Sequence, residues 1–552
     1  MNRVWLDHYP AGIGFDVDTD RYPSLAAALE DSCDRFADRT AFSSMDATLS
    51  YADVQRRSRE FAAYLQSELG MGKGDRIAIM MPNCLQYVVA LFGAIRAGLV
   101  VVNVNPLYTA RELEHQLADS GAQAIVVMEN FAATLEKVID TVPTKTVVTT
   151  QLGDMLGFPK GLITNAVVKH VKKMVPRWNL PGATDFGDAL KRGARADFNP
   201  PEITQEDLVF LQYTGGTTGP AKGAMLSHGN LVANLQQCHA WFQHYVNTET
   251  EEVIITALPM YHVFALTVNT LIFFTLGGKN VLITNPRDMP GFVKELGKQP
   301  FTAITGVNTL FNGLLNTPGF EALDFSTLKF AMGGGMAVQK PVAERWKQVT
   351  GVPIVEGYGL SETSPVATCN RLDLEEFNHS IGLPAPATDV VIRDDDNNDV
   401  AMGESGELCI KGPQVMQGYW NKPEANEEAF SPDGYFRTGD IARMDEKGYF
   451  YIVDRKKDMI LVSGFNVFPN EIEDVVAGHP GVLEGAAIGV PDDKSGEAVK
   501  LFIVRKDPGL TEQSVRDFCK ENLTGYKQPK YIDFIDEVPK SPVGKILRRQ
   551  LR

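Results

Sequence analysis

Cysteine is scarce and scattered. Its six positions, 33, 84, 238, 369, 409 and 519, form no C-x-x-C pair. That excludes a disulfide scaffold and suits free or buried thiols in a reducing compartment. Histidine is also sparse, with nine residues and no His-Glu-x-x-His string, so the usual zinc-hydrolase signature is missing. Neither Gly-x-Ser-x-Gly nor Gly-x-Gly-x-x-Gly occurs, which removes the hydrolase elbow and the dinucleotide fingerprint. Cations are in deficit: 53 Lys and Arg stand against 69 Asp and Glu, a formal charge of −16. Nucleic-acid binding needs clustered cations to neutralise phosphates, so it is disfavoured as a partner class. Long uncharged apolar runs are lacking as well. Val88 to Val104 carries Arg96 in its middle, and Val263 to Leu276 is too short for a span of about 20 residues; both read as buried core. The opening Met1 to Pro10 has no apolar signal core, so a cytoplasmic protein is expected.

What is present is an ordinary globular composition, 44% apolar and 22% charged over 552 residues, long enough for several domain-sized units at about 150 residues each. Short β-rich runs alternate with helical patterns. Arg76 to Met80, Ala124 to Met128, Leu208 to Tyr213, Val253 to Leu258, Asn280 to Thr284, Phe301 to Thr305, Leu328 to Met332 and Pro353 to Glu356 read as strands; Tyr51 to Leu69 and Glu112 to Ser120 read as helices. Such alternation predicts an α/β protein with parallel sheets covered by helices. From about residue 385 short strands and turns dominate, as in Asp389 to Arg393, Gly406 to Lys411 and Tyr449 to Val453. The acidic run Asp394 to Asp399 reads as a solvated turn. Arg455-Lys456-Lys457-Asp458 reads as a linker, beyond which about 95 residues look like a compact α+β domain whose tail, Lys540 to Arg552, holds five basic residues and no acid.

Ligand loops in such folds lie beyond the carboxyl ends of the strands, and three Gly-rich strings follow three of these strands. Tyr213-Thr214-Gly215-Gly216-Thr217-Thr218-Gly219-Pro220-Ala221-Lys222-Gly223 offers glycines whose amides turn toward an anion, hydroxyls of which Thr214 or a neighbour suits Mg²⁺, and in Lys222 a point charge for phosphate. It lacks the Gly-Lys-Ser/Thr of a Walker loop. Gly357-Tyr358-Gly359-Leu360-Ser361-Glu362-Thr363 follows the strand ending at Glu356; Glu362 is a hard oxygen ligand for Mg²⁺, and Tyr358 presents a face to a purine. Gly333-Gly334-Gly335 lets a flat or chain-like ligand pass close to backbone. Pro259-Met260-Tyr261-His262 sets a histidine at a strand end before an apolar helix. In Phe436-Arg437-Thr438-Gly439-Asp440 the aspartate suits the hydroxyls of a ribose, and Lys545 lies on a Gly-hinged basic loop near residue 552.

The order and spacing of these strings resemble the adenylate-forming (ANL) superfamily of acyl-CoA synthetases, peptide-synthetase adenylation domains and luciferases, over essentially the whole chain. Asp433 to Val476 looks like the fatty acyl-CoA synthetase signature, and Tyr9-Pro10-Ala11-Gly12-Ile13 and Asn105-Pro106-Leu107-Tyr108-Thr109 look like bacterial long-chain fatty acid–CoA ligases of the FadD type. The resemblance implies a large N-terminal domain, residues 1–456, of layered, mostly parallel sheets with a small β-barrel-like part, and a small mobile C-terminal domain, 457–552, hinged near Lys457. It implies ATP, a fatty acid and CoA as substrates, with Mg²⁺: carboxylate attack on the α-phosphate gives acyl-AMP and pyrophosphate, and thiol attack then gives acyl-CoA and AMP.

By the same resemblance Lys545, Glu362 and His262 are catalytic, with Thr214 and Glu362 at the metal. The nucleotide is held by Tyr213 through Gly219, Lys222, Gly335, Glu356, Gly357, Tyr358, Gly359, Thr363, Asp440, Arg455 and Lys457. The acyl group is held by His262, Val263, Phe264, Leu266, Gly333 and Gly334, and the CoA arm by Ser463, Gly464 and Phe465, which a second conformation brings to the site. Some long-chain relatives carry a Trp gate where Leu266 stands here. Pro259 to Thr275 contains no Asp or Glu to hold a substrate amino group, and its apolar side chains suit an acyl chain. Other ligases remain alternatives: one for medium-chain or aromatic acids, or a fatty acyl-AMP ligase that does not use CoA. A homodimer is expected from the family. The basic amphipathic stretch Val167 to Val175, with Arg177 and Trp178, suits peripheral contact with an anionic inner-membrane surface.

Overall fold

The computed structural model describes residues 3–552 except 215–220, 247, 464, 493–494 and 542–543. Among the described residues the strands form four sheets. In the first, Thr40–Ser44, Lys279–Leu282, Val253–Thr256, Ala303–Gly306, Phe330–Gly333 and Ile354–Gly359 run parallel, with antiparallel strands added at both edges. In the second, Arg76–Met80, Val100–Asn103, Ala124–Met128, Thr146–Thr150 and Leu208–Thr214 are parallel, and Lys222–Ser227 folds back antiparallel on the last of them. These strands read as continuous apolar runs because helices bury both of their faces.

The expected β-barrel-like part is a four-stranded antiparallel sheet of Asp389–Arg393, Gly406–Lys411, Phe436–Met444 and Phe450–Arg455. A fourth, largely antiparallel sheet carries the long pair Val482–Asp492 and Gly496–Arg505, covered by the helices Pro469–Ala477 and Glu512–Asn522.

The two apolar stretches are core. Helix Leu85–Arg96 is buried on every face, and Arg96 sits inside because its guanidinium pairs with Glu30 and its Nε donates to Ser58 Oγ at 2.9 Å. Val263 to Leu276 forms the helical run beginning at Ala265–Ile272, also buried. No helix among the described residues is long and apolar enough to cross a membrane. The predicted helix Tyr51 to Leu69 begins where the Ser50–Asp53 capping box satisfies its first amides, and it loosens into π-geometry over Tyr64–Glu68.

Candidate active site

The carboxyl ends of the central parallel strands face one large cavity of about 2060 Å³. Strand Leu208–Thr214 delivers Thr214 to its wall, Phe330–Gly333 delivers Gly334 and Gly335, and Ile354–Gly359 delivers Gly357 and Tyr358. The segment after Val253–Thr256 adds His262, Val263 and Phe264. This is the strand-end placement that the topology calls for. The four-stranded sheet supplies Asp440 and Arg455 from paired positions on neighbouring strands. The C-terminal part supplies Lys545.

These groups hold one another. Tyr358 donates from its hydroxyl to Asp440 Oδ2 at 2.6 Å, and Arg455 Nε stands 3.2 Å from Asp440 Oδ1. The carboxylate is thus fixed from both sides. Tyr419 donates to Glu362 Oε1 at 2.7 Å, and Lys222 Nζ lies 4.4 Å from the centre of the same Tyr419 ring. One tyrosine therefore bridges the two strings that chemistry had marked separately. Glu356 accepts the Val338 amide at 2.8 Å, and burial pushes its carboxyl up to about 8.

Lys545 lies beside Gly335 on the cavity wall. Its Cε passes 3.5 Å from where a Cβ on Gly335 would stand, an ordinary contact distance; what calls for glycine at 335 is its φ of +77°. The turn before it needs glycine: Gly544 has φ +82°, and a Cβ there would lie 2.7 Å from Thr309 Oγ1. Burial pushes the Lys545 ammonium down to about 8, and Arg455 adds to the fall while Asp440 and Glu362 oppose it. His262 is pushed down to about 3, by burial first and then by Lys545, so its imidazole is neutral at pH 7. Lys457 also faces the cavity, and burial lowers its pKa.

An apolar part of the same cavity is lined by Cys238, Trp241 and Phe242 of helix His228–Phe242 and by Met332, Cys369 and Ile381 across from them. Five of the residues expected to touch ligand stand elsewhere. Leu266 is fully buried in the main core and Gly333 lies behind the wall. Thr363 is buried in its own turn, where it accepts the Leu360 amide at 2.9 Å. Phe465 is exposed and stacks on Tyr526 at 4.8 Å, and Ser463, like it, is off the cavity wall. Gly215, Gly216, Thr217, Thr218, Gly219 and Gly464 lie outside the described residues.

Tyr419 escaped the sequence reading. It stands in Met416 to Trp420, which carries no glycine-rich or acidic signature; what marks it is pairing, since the Met416 amide donates to the Glu362 carbonyl and the Trp420 amide to Gly223.

A large cavity with charged groups and an apolar slot on its wall, and a lysine reaching it from the C-terminal part, is an arrangement that suits an adenylate-forming enzyme. Two family models agree: AMP-binding enzyme matches residues 29–420, and AMP-binding enzyme C-terminal domain matches residues 471–545. The chain belongs to this family of AMP-binding enzymes. Over 552 residues it is 58% identical to a long-chain-fatty-acid–CoA ligase of Escherichia coli O6:H1, covering 100% of this chain and 98% of that one. It is 38% identical over 553 residues to the Bacillus subtilis protein of the same name, covering 100% and 97%. Among solved structures, ATP-bound MatB from Rhodopseudomonas palustris superposes with a TM-score of 0.82 at 28% identity, covering 96% of this chain and 98% of that one. The anthranilate CoA ligase AuaEII, with anthranoyl-AMP, shares the fold at a TM-score of 0.85 and 23% identity, covering 97% and 98%.

Proposed function

We propose that the protein is a long-chain fatty acid–CoA ligase that makes acyl-CoA from ATP, a fatty acid and CoA through an acyl-adenylate. The observation that carries this is Lys545 inside the cavity that also holds Asp440, Arg455, Glu362 and the apolar slot. A fatty carboxylate and the α-phosphate of ATP are both anions, and an ammonium between them removes the repulsion as the carboxylate oxygen bonds to phosphorus and pyrophosphate leaves. Asp440, oriented by Tyr358 and Arg455, accepts the ribose hydroxyls. Lys222 and Thr214 hold the departing phosphates. Glu356, Gly357 and Gly359 line the nucleotide side, and neutral His262 with Val263, Phe264 and Gly334 borders the acyl carboxylate. The slot formed by Cys238, Trp241 and Phe242 takes the chain, at about 0.8 kcal/mol per buried CH₂.

Mg²⁺ is expected with ATP. Among the described residues no group of three or more His, Cys, Asp or Glu side chains is set to hold a metal, yet Glu362 and Thr214 are hard oxygen donors on the cavity wall. That fits an ion carried mainly by phosphates and water. When bound, it neutralises charge on the leaving pyrophosphate. We place the domain boundary at 456/457, with Lys457 as hinge, and a homodimer belongs to the same reading.

The test is AMP formation with ATP and Mg²⁺ across acetate, octanoate, palmitate, oleate and benzoate, each with and without CoA. CoA-dependent AMP peaking at palmitate or oleate is expected. A peak at octanoate or benzoate would overturn the substrate, and AMP release indifferent to CoA would overturn the thioester step.

A peripheral membrane contact is part of the proposal. Helix Lys160–Ala166 and its continuation Val167–Val171 leave Leu162, Ile163, Val171 and Met174 exposed, with Phe158 beside them 85% exposed. Between Asp154 and Asp185 there is no acid, and Lys160, Lys169, Lys172, Lys173 and Arg177 fall there in a chain of charge −16. Apolar residues ringed by cations suit an anionic bilayer. At about 1 kcal/mol per basic residue, Lys172→Gln with Lys173→Gln should weaken sedimentation with phosphatidylglycerol vesicles by about thirtyfold and leave activity on detergent-dispersed palmitate unchanged. Equal sedimentation of both proteins would sink the assignment.

A further inference from the structure

Helix Ala110–Ser120 lies outside every motif that marked the site, yet two of its side chains grip it. The helix starts at a capping box formed by Thr109 and Glu112 and ends at left-handed Gly121. Its lower face, Leu113 and Leu117, is fixed in the core, and Gln116 donates from Nε2 to the Asn103 carbonyl at 2.9 Å. His115 and Asp119 are four residues apart and so share one face of the helix. His115 Nε2 stands 2.9 Å from the Ala221 carbonyl oxygen. A carbonyl only accepts, so this nitrogen carries the proton. Asp119 accepts the Tyr213 hydroxyl on Oδ2 at 2.7 Å and the Lys422 ammonium on Oδ1 at 2.6 Å.

The two gripped residues are not arbitrary. Tyr213 immediately precedes Thr214, and Ala221 immediately precedes Lys222. Thr214 and Lys222 are opposite one another in the antiparallel pair of Leu208–Thr214 and Lys222–Ser227. The Tyr213 ring is further held against Gly223, where a Cβ would meet it at 3.0 Å. A two-stranded end beside a ligand cavity frays unless something outside the ladder holds it. Here a helix anchored in the core of the second sheet holds both strands, one by main chain and one by side chain.

We propose that His115 and Asp119 are positioning residues of the adenylation step: from one rigid helix they fix the backbone at Ala221 and the side chain of Tyr213, and thereby set where Lys222 and Thr214 meet the phosphates of ATP. This rests on the reading above that Lys222 and Thr214 serve the nucleotide. Asp119 stands off the cavity wall, and His115, which borders it, commits its Nε2 to the Ala221 carbonyl. Their effect is confined to one half-reaction, because the second attack occurs at the acyl carbon after pyrophosphate has left.

The test separates the two half-reactions. ATP–pyrophosphate exchange with palmitate reports the first, and thioester formation from supplied palmitoyl-adenylate and CoA reports the second. For His115→Ala we expect the KM for ATP in exchange to rise about tenfold, the worth of one lost hydrogen bond. The KM for palmitate and the rate from supplied adenylate should stay within about twofold of the unsubstituted protein, the scatter expected for an uncoupled step. His115→Gln, whose amide also presents an Nε2–H donor, should recover most of the loss. Asp119→Asn, which keeps an acceptor for Tyr213 but loses the charge facing Lys422, should fall between them. Parallel loss of both half-reactions in His115→Ala, or no recovery in His115→Gln with an unchanged melting temperature, would reduce the helix to a structural support. An unchanged KM for ATP in both alanine variants, His115→Ala and Asp119→Ala, would overturn the proposal outright. Absence of exchange in the unsubstituted protein would instead overturn the reading of the site.

Discussion

Replacing Lys545 with alanine is expected to slow acyl-adenylate formation by about 10³-fold and to leave thioester formation from supplied acyl-adenylate within about threefold. The size follows from the charge pair that is lost: at an effective dielectric of 20 and 4 Å separation it is on the order of 4 kcal/mol, and about 1.4 kcal/mol is a factor of ten in rate. The asymmetry follows from the role proposed for Lys545, at the meeting of carboxylate and α-phosphate, which is over before CoA reacts. A pH dependence comes with it. Burial holds the Lys545 ammonium down at about 8, so the charged form that the step needs is present below that pH and is lost above it. The kcat/KM for ATP should therefore fall as pH rises through about 8. In kcat the fall should come at higher pH, because bound phosphates favour the charged ammonium. Lys545→Arg should retain some activity and lose this alkaline limb, since a guanidinium stays charged. Equal loss of both half-reactions in Lys545→Ala would show that the loop serves structure instead.

The order of strands and helices was legible because both sheets bury their faces, so Arg76–Met80 and Ala124–Met128 stand out as apolar runs and their bounds agree with the reading residue by residue. Of the residues that chemistry marked in the sequence, Glu362, Asp440 and Lys545 come together on the wall of one cavity. Legibility failed in two ways. Leu266 was expected at the acyl wall by resemblance and for its apolar side chain, but an apolar residue at a helix start serves core or wall equally, and here Leu266 is buried in the core. Tyr419, His115 and Asp119 act through contacts 57, 106 and 94 residues away along the chain. Such pairs leave no local pattern, since their spacing is set by the fold and not by helix or strand period.

Lys457→Pro is expected to preserve adenylation and to cut CoA transfer by more than about a hundredfold. The two catalytic tasks need different groups in one place. Here Lys545 occupies the cavity, whereas Phe465 faces solvent with its ring on Tyr526. On the proposed roles of Ser463 and Phe465, bringing them to the acyl carbon requires everything beyond the 455–458 turn to move as a unit. Polar contacts between the large part and the moving part include Lys340 N to Asp474 at 3.3 Å, Asn312 to the Leu483 carbonyl at 3.3 Å and Thr309 to the Gly544 carbonyl at 3.5 Å. These three are long for hydrogen bonds and easily exchanged for water; beside the turn itself the Asn470 amide donates to buried Asp454 Oδ2 at 3.0 Å and would be given up in the swing. The turn itself closes through the Asp458 and Met459 amides on the Arg455 carbonyl. Proline at 457 fixes φ there and confines residue 456 to extended backbone, removing the rotation the swing requires. If the second arrangement falls below about one part in a hundred, thioester formation falls with it, while ATP–pyrophosphate exchange proceeds from the arrangement already in place. Acyl-adenylate should then accumulate on the enzyme and be released slowly by hydrolysis, visible as palmitate-dependent AMP that CoA no longer accelerates. Full acyl-CoA turnover by Lys457→Pro would move the hinge elsewhere in the chain.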